Sequence, residues 1–143
     1  MSRILDGGHE IALHSHTHRE LTKLGGDAQS QEIDRSLNAL LAVVDYQPNW
    51  WRAPYGSVGR TASARARTLG MQHQGWTTDT WDWQNPTPAT WKARLLGGAR
   101  DGAVVLMHDQ SVTTRNTLDE ALSELITRGY RMRTLSNLHA EGC

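Results

Sequence analysis

Phenylalanine is absent from this sequence, and cysteine occurs once, as the terminal Cys143. A lone terminal thiol excludes an internal disulfide framework and any cysteine-based zinc cluster, and it leaves the redox compartment open. Net charge is lacking too. The 15 basic and 15 acidic residues balance to a formal zero at pH 7, so the composition carries no electrostatic pull toward nucleic acid or an anionic membrane. Long apolar runs are also missing: the stretch Met1 to Gly8 is too polar for a signal peptide, and no later segment reads as a membrane span. At 143 residues the chain is expected to form a single domain, 1–143, without internal repeats or low-complexity linkers. Partners must be sought in local motifs, and no feature fixes an oligomeric state.

In place of phenylalanine there are six tryptophans, several of them beside polar motifs. A tryptophan-rich core or a sugar-stacking cleft would each explain that placement.

Hydrophobic periodicity gives an alternating order of elements. Glu10 to Leu13 reads as a strand ending at His14. Ile33, Leu37, Leu40, Leu41 and Val44 recur at helical spacing within 27–45, with Asp27 as N-cap. Asn49 to Arg52 reads as a second strand that Pro54 and Gly56 turn aside. A helix from Thr61 to Leu69 stops at Gly70, and Met71 to Thr78 is a third strand. Pro88 opens a helix after Thr87, and Ala103 to Met107 is a buried fourth strand. Thr117 and Glu120 suggest a capping box for a helix that buries Leu118, Leu122, Leu125 and Ile126 and ends at Gly129. Arg131 to Leu135 is expected as a last strand. Strands and helices in alternation imply α/β architecture with parallel pairing. A complete eight-unit barrel takes about 250 residues, so this chain accommodates only part of one.

Chemistry concentrates just after the expected strands, where βα folds gather their functional loops. His14 to His18 reads His-Ser-His-Thr-His, and its outer histidines offer two nitrogens to a divalent ion, with His16 pointing elsewhere. A solvated histidine-rich loop would carry the same letters. Arg52-Ala53-Pro54-Tyr55-Gly56 combines a fixed cation with a rigid turn able to present amides to an oxyanion, although an ordinary Pro-Gly turn reads alike. Asp79-Thr80-Trp81-Asp82-Trp83 sets carboxylates among indoles, as a tuned acid beside an apolar wall or as a surface turn with core tryptophans. His108 follows a buried strand, where it can serve as acid, base or structural residue.

Taken in order, these segments resemble the polysaccharide deacetylases, metal-dependent carbohydrate esterases of family 4 with a NodB-like homology domain. Gly8 to Ile11 leading into His14–His18 resembles the family's H-S/T-x-x-H metal motif, and Arg52 to Gly56 its R-x-P-Y-G motif. Asp79 to Trp83 resembles D-x-x-D-W, and Leu106 to His108 resembles L-x-H. The resemblance runs to about Leu135 and implies a partial, distorted TIM-like βα barrel lacking its first strand or strands. It further implies that His14 and His18 ligate the metal, most readily zinc, with cobalt, nickel or iron as alternatives. His108 would protonate the leaving amine or alcohol while Asp82 holds it charged and oriented. The Tyr55 amide would stabilise the oxyanion, Trp83 and Leu106 would enclose the acetyl methyl, and Arg52 would orient the base.

One family motif is absent. The T-F-D-D-G segment, which supplies the base aspartate and the third metal ligand upstream of the histidines, has no counterpart, because the sequence contains no Asp-Asp pair. Asp6 lies before the Gly-Gly turn, at the wrong end of the strand to replace it. The reading is therefore of an N-terminally truncated deacetylase domain acting on peptidoglycan, chitin or xylan outside the cytoplasm or at the cell wall. An inactive or glycan-binding remnant is the alternative. A missing first strand would leave an open edge of unpaired backbone groups.

Overall fold

The computed structural model describes residues 1–142, so Cys143 and the reading of its thiol lie outside the described residues. The chain is α/β, and by contacts it divides into two compact units, one of Met1–Gly75 with Thr134–Ser136, the other of Trp76–Arg133 with the described residues 137–142. Among the described residues no helix is long and apolar enough to cross a membrane.

In the first unit the expected strand at 10–13 contracts to one parallel bridge, Leu13 against Trp51. The Leu13 amide donates to the Trp50 carbonyl at 3.1 Å, and the Arg52 amide donates to the Leu13 carbonyl at 2.9 Å. Beyond the short helix α1 (Ser2–Asp6), the unit consists of α2 (Gly26–Leu41), β1 (Trp50–Trp51), α3 (Arg60–Thr68) and β2 (Gln72–His73). β1 and β2 pair in parallel, with Trp50 opposite Gln72 and Trp51 opposite His73. The core joins Leu13, Leu21, Ile33, Leu37, Trp51 and Met71. Each such large apolar side chain stabilises the unit by about 1.5–3 kcal/mol relative to exposure.

The N-cap of α2 is Gly25, not Asp27, which lies in the first turn and there complements the helix dipole. The helix also stops at Leu41, leaving Val44 and Asp45 beyond it. α3 has no side-chain cap of its own. Its amides at Thr61 and Ala62 instead donate to Oε1 of Gln29 in α2, at 3.1 and 3.2 Å, while Gln29 Nε2 donates to the Leu24 carbonyl at 3.0 Å. Gly59 makes room for this. A Cβ there would lie well inside contact distance of the Gln29 amide and 3.1 Å from Leu21 Cβ.

In the second unit β3 (Thr78–Asp79) and β4 (Val105–Leu106) pair in parallel, with Asp79 opposite Leu106. α4 (Pro88–Gly97) lies between them in sequence and packs on α5 (Val112–Thr127) around Trp91, Leu95, Ala121 and Leu125. Thr87 caps α4 as expected, its hydroxyl accepting the Thr90 amide at 3.2 Å.

Three further expectations are corrected. The strand proposed for 71–78 is two strands, β2 and β3, in different sheets, broken around Gly75, where a residue without a side chain weakens pairing. α5 begins five residues before Thr117, because the Ser111 hydroxyl caps it by accepting the Thr114 amide at 3.2 Å. Its buried stripe is Thr114, Thr117, Ala121 and Leu125, with Leu118 and Leu122 half-buried and Ile126 exposed, so small polar side chains occupy positions where apolar spacing finds nothing. The last strand does not form. Arg131, Met132 and Arg133 are all exposed and leave no apolar face, and Leu135 instead opens α6 (Leu135–Ala140).

Candidate active site

In the first unit, His14 and Arg52 leave the adjacent C-terminal ends of the Leu13 bridge and β1. The His14 Nδ1–H donates to the Arg52 carbonyl at 2.7 Å. That bond selects the tautomer whose lone pair sits on Nε2, the form an imidazole needs to ligate a metal. The backbone turns left-handed at Ser15 (φ 63°) and at His18 (φ 57°), which brings the His18 ring to 4.9 Å from that of His14. Two imidazoles so spaced fit an ion whose bond to ring nitrogen is about 2.1 Å. Among the described residues no group of three or more His, Cys, Asp or Glu gathers to complete such a site.

The Arg52-to-Gly56 segment becomes a 3-10 turn, with the Gly56 amide donating to the Ala53 carbonyl at 3.1 Å and the Ser57 amide to Pro54 at 3.0 Å. Tyr55 sits at φ 58° and its ring packs 4.9 Å from that of His18. Burial pushes the Arg52 guanidinium below its ordinary range, and its buried Nε has no hydrogen-bond acceptor among the described residues. A buried donor left unmatched marks a place where an acceptor is wanted.

In the second unit, Asp82 and His108 follow the paired strands β3 and β4. Asp82 is 0% exposed. Its Oδ1 accepts the His108 Nδ1–H at 2.7 Å, and its Oδ2 accepts the His108 amide at 2.6 Å and the Thr114 hydroxyl at 2.7 Å. Burial alone would raise this carboxyl. The bonds from the His108 ring, the Thr114 hydroxyl and the His108 amide outweigh burial and hold Asp82 below its ordinary value. His108, with its side chain 39% exposed, thus has Nδ1 engaged by Asp82 and Nε2 outside that bond. Leu106 is buried, and its carbonyl accepts the Thr80 hydroxyl at 2.9 Å.

The tryptophans divide between both explanations of their number. Trp50, Trp51 and Trp91 are buried. Trp81 and Trp83 are 46% and 60% exposed and lie nearly parallel, their rings 6.2 Å apart, with the Arg94 guanidinium 5.7 Å from the Trp81 ring. Trp81 is held left-handed at φ 53° by its amide's bond to Asp79 Oδ1 at 2.8 Å.

Sequence reasoning passed over three residues. Glu32 is 7% exposed on α2, and its carboxylate accepts the amides of His16 and Thr17 at 2.9 and 2.8 Å and the Thr17 hydroxyl at 2.5 Å. Burial raises its carboxyl, but the Thr17, His16 and Ser15 donors together hold it below the ordinary value. Its one signal is an acid beside Ile33 on the apolar stripe. Thr114 was hidden by the late start assigned to α5, although Ser111 three residues earlier is a capping spacing. His73 accepts the Ala53 amide at Nε2, 3.3 Å away, and is pushed down by burial.

A family model for polysaccharide deacetylases matches residues 1–73. Peptidoglycan-N-acetylglucosamine deacetylase PgdA of Listeria monocytogenes is 34% identical over 141 residues, covering 99% of this chain and 30% of that protein. Among solved structures, peptidoglycan deacetylase PdaC from Bacillus subtilis superposes with a TM-score of 0.87 at 28% identity, covering 97% of this chain and 67% of the other. BA3943, a CE4 family pseudoenzyme from Bacillus anthracis, gives 0.88 at 28% identity over 95% of this chain and 48% of its own. The chain thus spans less than a third of the length of PgdA.

Proposed function

This chain belongs to the polysaccharide deacetylase family, and from that premise we propose that the whole protein hydrolyses acetyl groups on a polysaccharide outside the cytoplasm or at the cell wall. Peptidoglycan is favoured over chitin or xylan by the names of PgdA and PdaC, and N-deacetylation over O-deacetylation. The fold that goes with this reading is a partial, distorted TIM-like βα barrel, supported by parallel pairs with a helix between their strands.

The observation that carries the proposal is the Asp82–His108 pair, a buried carboxylate fixing Nδ1 of a half-exposed imidazole. His108 delivers a proton from Nε2 to the departing amine, and Asp82 keeps the ring aligned and compensates its charge. His14 and His18 would hold a divalent cation, zinc first, with cobalt, nickel or iron also suited to such donors. When bound, that cation supplies Lewis acidity toward the acetyl carbonyl and the attacking water. The Tyr55 amide, used by neither bond of its turn, donates to the developing oxyanion. Trp83 and Leu106 wall the acetyl methyl, and the exposed Trp81–Trp83 stack offers a face to a sugar ring. Arg52 orients the carboxylate base, which its orphaned Nε would receive.

A second reading, an inactive or glycan-binding form, is favoured by the absence of an Asp-Asp pair from this sequence and by the incomplete donor set around the two histidines among the described residues. Acetate release from N-acetylated glycans with added zinc or cobalt separates the two. In an active protein, His108→Ala lowers turnover by about 100-fold or more with cation affinity retained, and His14→Ala loses the cation. Normal turnover in both variants refutes these roles. Polysaccharide binding that needs Trp81 and Trp83 without any acetate release establishes the second reading.

A further inference from the structure

We infer that Glu32 is a positioning residue that sets the cation affinity of His14 and His18 without touching the cation, an inference that rests on the metal-binding reading of that pair. The loop from His14 to His18 contains two non-glycine residues in the left-handed region, Ser15 and His18. Such conformations are costly and persist only where surrounding contacts over-determine them. Here the contacts come from outside the loop. Glu32 projects from α2 beside Ile33 and Leu37, both buried in the core, so its carboxylate stands on a rigid element. Oε2 takes the amides of both His16 and Thr17, and Oε1 takes the Thr17 hydroxyl. Within the loop, Ser15 Oγ takes the His18 amide at 3.0 Å. These four bonds fix the peptide planes on either side of the turn that carries the His18 ring toward His14.

The arrangement makes a specific demand on position 32. It must accept two amides at one oxygen and also bond the hydroxyls of Thr17 and Ser15, each able to donate or accept. Glutamine meets that demand, since its oxygen can serve the amides while its NH2 donates to Thr17 Oγ1. Leucine fills similar space with no acceptor. If Glu32 acted through its charge, or as a ligand itself, Glu32→Gln would be as damaging as Glu32→Leu.

The test titrates the 143-residue chain and its variants with Co2+ alone, followed by visible absorption and calorimetry, with circular dichroism verifying the fold. Glu32→Leu is expected to weaken Co2+ binding by about tenfold or more, the scale of losses from groups that orient metal ligands. Glu32→Gln should stay within about threefold of the parent, and His14→Ala should abolish binding. Glu32→Leu binding Co2+ as tightly as the parent, or Glu32→Gln falling as far as Glu32→Leu, overturns the inference. Co2+ binding that survives His14→Ala overturns the metal reading instead. Should Glu32→Leu fail to fold, Ser15→Ala removes one restraint from the loop without touching the core. Weaker binding in that variant supports the inference, and unchanged binding refutes it.

Discussion

Replacing Asp82 by asparagine removes a charge from the second unit with almost no change of shape. The carboxylate is fully buried and receives bonds from the His108 ring, the His108 amide and the Thr114 hydroxyl. Hydrogen bonds to a charged group contribute about 1.5–3 kcal/mol each, against about 1 for neutral ones. In Asp82→Asn the remaining oxygen can serve the His108 amide and Thr114, each weakened by about 1 kcal/mol, while the NH2 can donate to His108 Nδ1 only after the ring proton moves to Nε2, which exchanges a charged bond for a neutral one, a further loss of about 1. Relief from burying a charge offsets part of this, so the expected loss is about 2 kcal/mol at pH 7, read by urea unfolding.

The pH dependence has a definite sign. Because Asp82 is held below its ordinary 3.8 in the folded chain, its contribution is complete above that value and is lost as pH falls through the lower folded value. The gap between parent and variant should therefore close on acidification below about 3.8. Thr114→Val should cost part of the same energy and combine non-additively with Asp82→Asn. A loss under about 1 kcal/mol at pH 7 would contradict the expected cost of these bonds. A gap unchanged at pH 2 would show that the carboxylate's charge is not what matters.

Three further substitutions test the packing and the half-buried cation. Gly59→Ala should destabilise by about 2–3 kcal/mol, because its methyl displaces the Gln29 amide that caps α3. Gly97→Ala, with open space at its Cβ, should instead gain about 0.5–1 kcal/mol from helix propensity. Equal effects in thermal melts would defeat the steric argument. Arg52→Met should leave stability within about 1 kcal/mol of the parent or raise it, since a half-buried guanidinium whose buried Nε lacks an acceptor gains little from its charge. A urea midpoint loss equivalent to about 3 kcal/mol would reveal a partner for that charge.

How far the sequence announced this architecture depended on the kind of residue doing the work. The chemistry-bearing segments were visible because each follows a short expected strand: His14 after Leu13, Arg52 after 49–51, Asp82 after 71–78, His108 after 103–107. Apolar periodicity located α2, while Gly70 and Pro88 marked the end of α3 and the start of α4 to within a few residues. It failed where polar side chains are buried. Thr114 and Thr117 face the interior of α5, so a reading that seeks apolar spacing begins that helix too late and turns its stripe. Glu32 interrupts the apolar face of α2 and reads as solvent-exposed, whereas it is buried by the donors that surround it. The run 71–78 looked like one strand because pairing partners are decided by tertiary contacts that local pattern does not encode.

The borrowed cap of α3 ties two helices into one cooperative event. At nine residues α3 is shorter than an isolated helix that would persist in water, and the acceptor for its first amides arrives from a glutamine more than thirty positions upstream. α3 has no local means of starting itself and becomes ordered only once α2 has docked. Amide hydrogen exchange at Thr61 and Ala62 therefore measures the opening of α2 as much as that of the helix in which they lie.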